Sequence, residues 1–423
     1  MSAASSDAVP RPDRTPPGGA HDQASHGQAS HGQASYDRAS CDRDVRGRGF
    51  SGRTPLAEAQ ARIDAAAAAL PACLVPPAQA AGLVLAAPVT AADDLPDRDR
   101  AARDGFAVAA ADTLGAGSYN PVPLPSALPV SAGQPLPPGC DAVLPVEAVS
   151  HAAGLVEALD AVAPGAGVER RGAALRTGAT VLQPGRRLCA ADVGLLGGLG
   201  LAAVCVVPRP RVRLLIAGGP REGGDALTPL LAALVRRDGG EVEAAEPLPA
   251  ETGALAAALA APGADLILCA GRTGVGMDDA APPALAEAGS LEFHGVALRP
   301  GDSAALGRVG EVPVVLLPGE PMAALAAYEL LGGRAVRRRA GRAPGLPHAT
   351  VQAVTARKLV SEIGCADLYR VRLTGDGLAE PVASPAVPGL AAAVRADGFV
   401  LIPAESEGVP AGSTVTIFLF DGV

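Results

Sequence analysis

Two short stretches in the second half of the chain combine glycine with acidic residues, the first with a cation as well, in a pattern suited to anion chemistry. The first is AGRTGVGMDD, residues 270–279, at the end of the apolar run DLILC. Gly271, Gly274 and Gly276 let backbone N–H groups approach a negative group closely, because no side chain stands in the way. Arg272 adds a charged donor, and Asp278 and Asp279 offer oxygen ligands to a divalent cation or a polar ligand. The second is LPGEPMAA, residues 317–324, where Pro321 opens a helix whose first N–H groups suit a phosphate. Each loop, taken alone, also reads as a tight connection after a strand. Two further segments carry acids: RDGFAVAAADT at 103–113 and SAGQPLPPGCDAVLPVE at 131–147. Asp104-Gly105 is equally a turn signal, and Asp141 and Glu147 read as solvated carboxylates.

The elements around the two glycine-bearing loops decide whether they share a site. RVRLLIAGG reads as a buried strand, DALTPLLAALVRRDGG as a helix stopped by glycine, and EVEAAEPLP as a strand. A helix near 253–261, the strand DLILCAG, a helix near 280–288, a strand at 291–298, the strand VPVVLLPG and a helix from Pro321 follow. Strands alternating with helices imply a parallel sheet covered on both faces. In such sheets ligands gather beyond the carboxyl ends of the strands, where both loops fall. Ahead of this region, Pro55 to Leu70 reads as a helix with Thr54 as N-cap and Glu58 near its first turn. Residues 78–158 are rich in short strands and turns. Residues 159–207 hold Gly-punctuated strands and a short helix at 190–199 with Asp192 in its first turn, where a carboxylate complements the helix dipole. From about 345 onward short strands return.

Composition narrows the function classes. The 423 residues favour roughly two to four domains. Hydrophobic content of 48% is ample for buried cores, but aromatics make up 2% and Trp is absent, so the cores must be aliphatic. A net charge of −9 gives no basic face for nucleic acid. Lys358 is the only lysine, so arginine carries the cationic roles. The seven cysteines form no CxxC pair and no Cys/His cluster, which predicts reduced, mostly buried thiols and neither a disulfide framework nor a zinc site. Residues 1–53 contain the degenerate repeat DQASH-GQASH-GQASY-DRASC and little to bury, so the whole segment is expected to be disordered, with His26 and His31 inert. The N-terminus lacks the apolar core of a signal peptide. Residues 188–207, broken by Gly200 and carrying Asp192, read as a helix and a strand rather than a membrane span. A soluble cytoplasmic protein without membrane or nucleic-acid partners is expected.

These segments, in this order, resemble a known family. RDRAARDGFAVAAADT looks like DN-S-A-M-DGYA-V-ADT, and SAGQPLPPGCDAVLPVE like TGAPLP-GADAVV-E. RRGAALRTGATVLQPGRRLCAADVGLLGGLG resembles RRGEDI-GD-LL-G-L-P-DIGLLASLG. DLILCAGRTGVGMDD, EFHGVALRPGDSAALG and LPGEPMAALAAYELL resemble SGGVSVGD, FH-VAMKPGKP and LPGNPVSA-V-FE, and AAVRADGFVLIPAESEGVPAGSTVTIFL resembles the family's closing motif. The family is that of the molybdopterin molybdenumtransferases of the MoeA type, which includes the enzymatic domain of gephyrin, and the resemblance covers 54–423.

The resemblance implies a multidomain α/β plus β fold: a disordered tail (1–53), a discontinuous dimer-forming domain I (54–77 and 159–208), a β-rich domain II (78–158), a MogA-like three-layer α/β domain III with a mostly parallel sheet (209–342), and a small C-terminal β domain IV (343–423). It implies a homodimer, with other cofactor-biosynthesis proteins or molybdoenzymes as further partners. The implied reaction takes adenylylated molybdopterin and molybdate, with Mg²⁺, and releases AMP as molybdenum enters the dithiolene. Carried over position by position, Asp104 and Asp279 are catalytic. Asp278 and Asp279 hold metal, and Gly271, Arg272, Gly274, Gly276, Arg299, Pro318, Gly319 and Pro321 bind molybdopterin and its phosphate.

The departures are equally specific. The acids of RRGEDI fall on Ala173 and Ala174, and the aspartate of a TGDE loop on Pro220. The threonine of TGAP falls on Ala132, and the Asn and Ser of LPGNPVS on Glu320 and Ala323. The lysines of KPGKP fall on Arg299 and Asp302. Asp302 and Glu320 would each repel a phosphate by about 1–4 kcal/mol at surface to intermediate dielectric. Glu169, Glu222 and Asp225 lie near enough in sequence to stand in for lost acids. The alternative reading is a catalytically weak or inactive molybdopterin-binding or chaperone paralogue. A MogA- or competence-damage-type enzyme acting on nucleotides is disfavoured by the full domain order.

Overall fold

The computed structural model describes residues 45–152, 154–219 and 224–420. Residues 1–44, with the repeat, His26 and His31, lie outside the described residues, as do Pro220 and Glu222. We number only the strands of the central sheet: β1 (Arg211–Ala217), β2 (Glu241–Leu248), β3 (Leu266–Ala270), β4 (Ser290–His294), β5 (Ala305–Val309) and β6 (Val312–Leu317). Their order is β2-β1-β3-β6-β5-β4. The first four run parallel, and β5 and β4 are added antiparallel.

Period-two patterning explains the three layers. Along β1, Val212, Leu214 and Ile216 face Leu231 and Val235 of helix Leu227–Asp238, while Leu215 and Ala217 face Leu255 and Leu259 of helix Thr252–Ala260. Burying each such side chain contributes about 1.5–3 kcal/mol. Helix Leu227–Asp238 ends at Gly239 (φ 96°), a left-handed cap that favours glycine.

The opening helix differs from expectation. It runs Leu56–Ala66, with Pro55 rather than Thr54 at the cap and no side-chain cap bond. Thr54 donates its N–H to the Gly295 carbonyl (2.9 Å) and accepts from the Ala297 N–H (2.8 Å), so its backbone belongs to a strand-like bridge. The helix buries Ala59 and Ile63, and its C-cap Ala67, in the α/β core beside Leu331 and Val336, rather than with the strands around 73–85. Pairing between the two N-terminal segments starts at Cys73–Val75, which runs antiparallel to Val204–Val207, itself paired with Val84–Leu85.

The run 291–298, expected as one strand, also divides. Ser290–His294 stays in the central sheet, Gly295 turns at φ 93°, and Leu298–Arg299 pairs with Ala366 and Asp367 of the C-terminal sheet. That sheet closes on itself through strands Thr350–Thr355, Ala366–Leu373, Leu378–Ala383, Gly398–Ile402 and Thr414–Leu419. Closure leaves this small β unit no long open edge.

Residues 190–207 form helix Ala190–Gly198 and strand Val204–Val207, and no helix among the described residues is long and apolar enough to cross a membrane. The cysteine expectation fails in part. Of the described cysteines only Cys269 is buried, inside β3, while Cys73 and Cys189 are exposed on a short strand and at a helix cap.

Candidate functional site

The glycine loop 271–279 is built where three strand ends meet. The Gly271 N–H donates to the Leu317 carbonyl at the end of β6 (2.9 Å). Gly271 has φ 97°, and a Cβ there would lie 2.5 Å from the Ala217 carbonyl oxygen at the end of β1, so no other residue fits. Exposed Arg272 holds a left-handed φ of 54°, which costs a non-glycine about 1–2 kcal/mol. Strain of that kind collects at functional sites. Buried Thr273 brings its hydroxyl within reach of the Ser303 hydroxyl (3.1 Å) and the Leu317 carbonyl (3.4 Å), and its carbonyl accepts from His294 Nε2 (2.7 Å).

The acid of this loop is seated by its glycines. Asp279 Oδ2 accepts the Gly276 N–H at 2.7 Å. A Cβ on Gly274 would stand 2.7 Å from that oxygen, and one on Gly276 3.1 Å away. The glycines therefore clear a place for the carboxylate. Asp278 is exposed beside it. Among the described residues no group of three or more His, Cys, Asp or Glu side chains could hold a metal ion. Asp278 and Asp279 are adjacent carboxylates in this loop, the first exposed and the second held by the Gly276 N–H.

In the second loop Pro318 is buried and Gly319 half-buried, leading to Pro321 at the start of helix Pro321–Ala327. The N-terminus of this helix is not left open for a phosphate, as its sequence implied. Glu320 caps it, accepting the Ala323 N–H through Oε2 (2.7 Å) and the Gly389 N–H through Oε1 (2.7 Å). The added charge at 320 thus faces the helix dipole and ties the loop toward the C-terminal strands.

Arg299 is engaged by acids of the C-terminal unit. Its Nε and Nη2 donate to the two oxygens of buried Asp367 (2.8 and 2.7 Å) and its Nη1 to Glu362 (2.6 Å), with the Ser361 hydroxyl donating to Asp367 (2.8 Å). Arg299, expected as a phosphate ligand, links the α/β and C-terminal units through these pairs. Asp302, whose charge was expected to repel a phosphate, pairs with Arg53 at 2.9 Å. That partner was hidden to sequence reading, because residues 45–53 were expected to be unstructured.

Exposed Asp104 sits at the entrance to strand Gly105–Val108, in a sheet with Leu128–Val130 and Ala142–Pro145, and accepts the Ala132 N–H at 2.8 Å. Asp104 and the loops at β3 and β6 thus belong to different sheets. The loop carrying Ala173 and Ala174 is held by two acids that sequence reading passed over. Asp94 accepts from Thr177 N (2.8 Å) and Arg171 Nε (2.6 Å), and Asp99 from Arg171 N (2.7 Å) and Arg170 Nη1 (2.8 Å). The Thr177 N–H and then Arg171 hold Asp94 below the usual carboxylate range. The acid-rich run DDLPDRD was the available signal. The described stand-in acids have partners already: Glu169 pairs with Arg100 (2.8 Å), and Asp225 Oδ1 accepts from Leu227 N and Thr228 N, both at 3.0 Å.

Comparison with known proteins gives a consistent picture. Residues 54–200 match the MoeA N-terminal region (domain I and II), 213–338 a probable molybdopterin binding domain, and 352–420 the MoeA C-terminal region (domain IV). The molybdopterin molybdenumtransferase 2 of Mycobacterium tuberculosis is 33% identical over 382 residues, covering 81% of this chain and 94% of its own. Molybdopterin molybdenumtransferase 1 of that organism is 29% identical over 418 residues, covering 85% and 97%. Two crystal structures of a molybdopterin biosynthesis MoeA protein from Pyrococcus horikoshii superpose with TM-scores of 0.71 and 0.68 at 26% and 25% identity, covering 88% and 87% of this chain and 100% of theirs.

Proposed function

The chain belongs to the MoeA family, and from that premise we propose that it is a molybdopterin molybdenumtransferase acting in molybdenum cofactor biosynthesis. It takes adenylylated molybdopterin and molybdate and releases AMP. The observation that carries this reading is the seat of Asp279, cleared by Gly274 and Gly276 at the carboxyl end of β3. The substrate is a polyanion, and the backbone N–H groups of the glycine loop with the exposed Arg272 guanidinium suit its phosphates. Asp279 takes the proton of the water whose oxygen joins phosphorus as the phosphoanhydride to AMP breaks. Asp278, with Asp279 next to it in the chain, would hold Mg²⁺, which would supply charge neutralisation at the anhydride. The full site, in this reading, joins Asp104 of one protomer with the glycine loop of its partner in a cytoplasmic homodimer. The lodging of Asp104 in a separate sheet favours that arrangement.

The test is chromatographic. Purified protein given adenylylated molybdopterin, molybdate and Mg²⁺ releases AMP, and Asp279→Asn slows release by at least ~100-fold while folding normally. Substrate binding without AMP release by the unaltered chain would instead identify a binding paralogue, the reading favoured by Ala173 and Ala174.

A further inference from the structure

Residues 45–53 precede the first family match at residue 54, yet they touch the candidate site at three points. The Gly47 N–H donates to the Val275 carbonyl, between Gly274 and Gly276, at 2.7 Å. Gly47 has φ 67°, and a side chain there would meet Met277 Sδ at 3.3 Å. The Phe50 ring stands edge-on to His294, centroids 5.0 Å apart at 85°. Gly295 makes room for it: with φ 93°, a Cβ there would come 2.6 Å from Phe50 Cδ1. His294 in turn holds the Thr273 carbonyl at 2.7 Å. Arg53 lies over the Phe50 ring at 5.4 Å and pairs with Asp302 at 2.9 Å.

We infer that residues 45–53 are a positioning strap for the ligand loop, an inference that rests on the transferase reading only for the identity of the ligand. Gly271 and Thr273 anchor the base of the loop to Leu317, and Gly47 anchors its tip at Val275. Phe50 braces the loop from behind through His294 and Thr273. Arg53 cancels the charge of Asp302, the one acid of the 299–303 turn, which would otherwise face a polyanion unpaired. Gly47 and Phe50 are positioning residues; neither is assigned a chemical step. A backbone hydrogen bond and an aromatic contact together bias the loop on the order of tenfold toward its held form.

The test uses the full chain and two readouts. In ligand-free protein, Phe50→Ala speeds amide exchange at residues 273–279 by roughly tenfold, leaves exchange in β1 and β3 unchanged, and Phe50→Tyr restores the loop. Unchanged loop exchange in Phe50→Ala overturns the strap, whatever the ligand does. With adenylylated molybdopterin as probe, Arg53→Ala weakens binding by roughly tenfold and Arg53→Ala/Asp302→Asn regains it. Equal affinity of Arg53→Ala and the unaltered chain overturns the charge-cancelling role. If the unaltered chain fails to bind the probe, the transferase reading fails, and the exchange comparison still decides the strap.

Discussion

Asp279 and Gly274 define the chemistry at the scale of single residues, because one sets the charge and the other sets where that charge stands. A methyl group on Gly274 would sit 2.7 Å from Asp279 Oδ2, and Gly274 has no positive φ to confuse the outcome. Gly274→Ala should therefore move the carboxylate without straining the backbone. AMP release is predicted to fall roughly 100-fold, since displacements near 1 Å can cost that much. The double variant Gly274→Ala/Asp279→Asn should be no slower than Asp279→Asn alone, because both act through one group. Additive losses in that cycle would show that Gly274 acts by another route. The glycine loop and its acids were legible as residue types, although a glycine-rich turn after an apolar run also reads as a plain tight connection. The roles of Asp302, Glu320 and Arg299 were not. Asp302 and Arg299 are decided by partners 63 or more residues away, Arg53 and Asp367 with Glu362, and Glu320 adds distant Gly389 to its local cap on Ala323.

At the scale of elements, two buried acids test whether the frame around the site is fixed by ion pairs. Asp192 in helix Ala190–Gly198 accepts from Arg186 (2.9 Å) and from the Cys189 N–H (2.9 Å). The Arg186 hydrogen bond, outweighing burial, lowers its pKa from 3.8 to about 2. A depressed carboxylate pKa stabilises the fold above the unfolded value and ceases to do so as pH falls through the folded one. The Asp192 contribution, about 2 kcal/mol, is thus complete near pH 5 and gone below about pH 2. Urea titrations should show the stability gap between the unaltered chain and Asp192→Asn shrinking across that window; a pH-independent gap would refute the pairing. Asp367, fully buried against Arg299, makes a stronger case. Asp367→Ala leaves a half-buried guanidinium without its main partner and should destabilise by about 3 kcal/mol, measured by urea unfolding. A loss below about 1 kcal/mol would mean that the clamp is only a surface pair.

Across the whole molecule, the central sheet was readable because its apolar runs alternate with helices and each run faces two cores. The failures share a cause in long-range contacts. Thr54 is a fair N-cap by local chemistry, but its bridge to Gly295 and Ala297 overrides that preference. The strand at 291–298 breaks because Gly295 turns where Phe50 packs. Residues 45–53 looked unstructured because Val45 and Phe50 are their only large apolar side chains. Their order comes from docking against residues 275–302, which composition does not register. The same long-range logic bears on function, since Ala173, Ala174 and Pro220 read as lost acids while the Asp279 seat is intact. The most direct measurement of whether that seat suffices is made in cells lacking their own molybdenum insertase. Expression of this chain should restore the activity of a molybdoenzyme in those cells, and the Asp279→Asn variant should not. A chain that accumulates and binds molybdopterin yet restores no activity, even with added molybdate, would contradict the account.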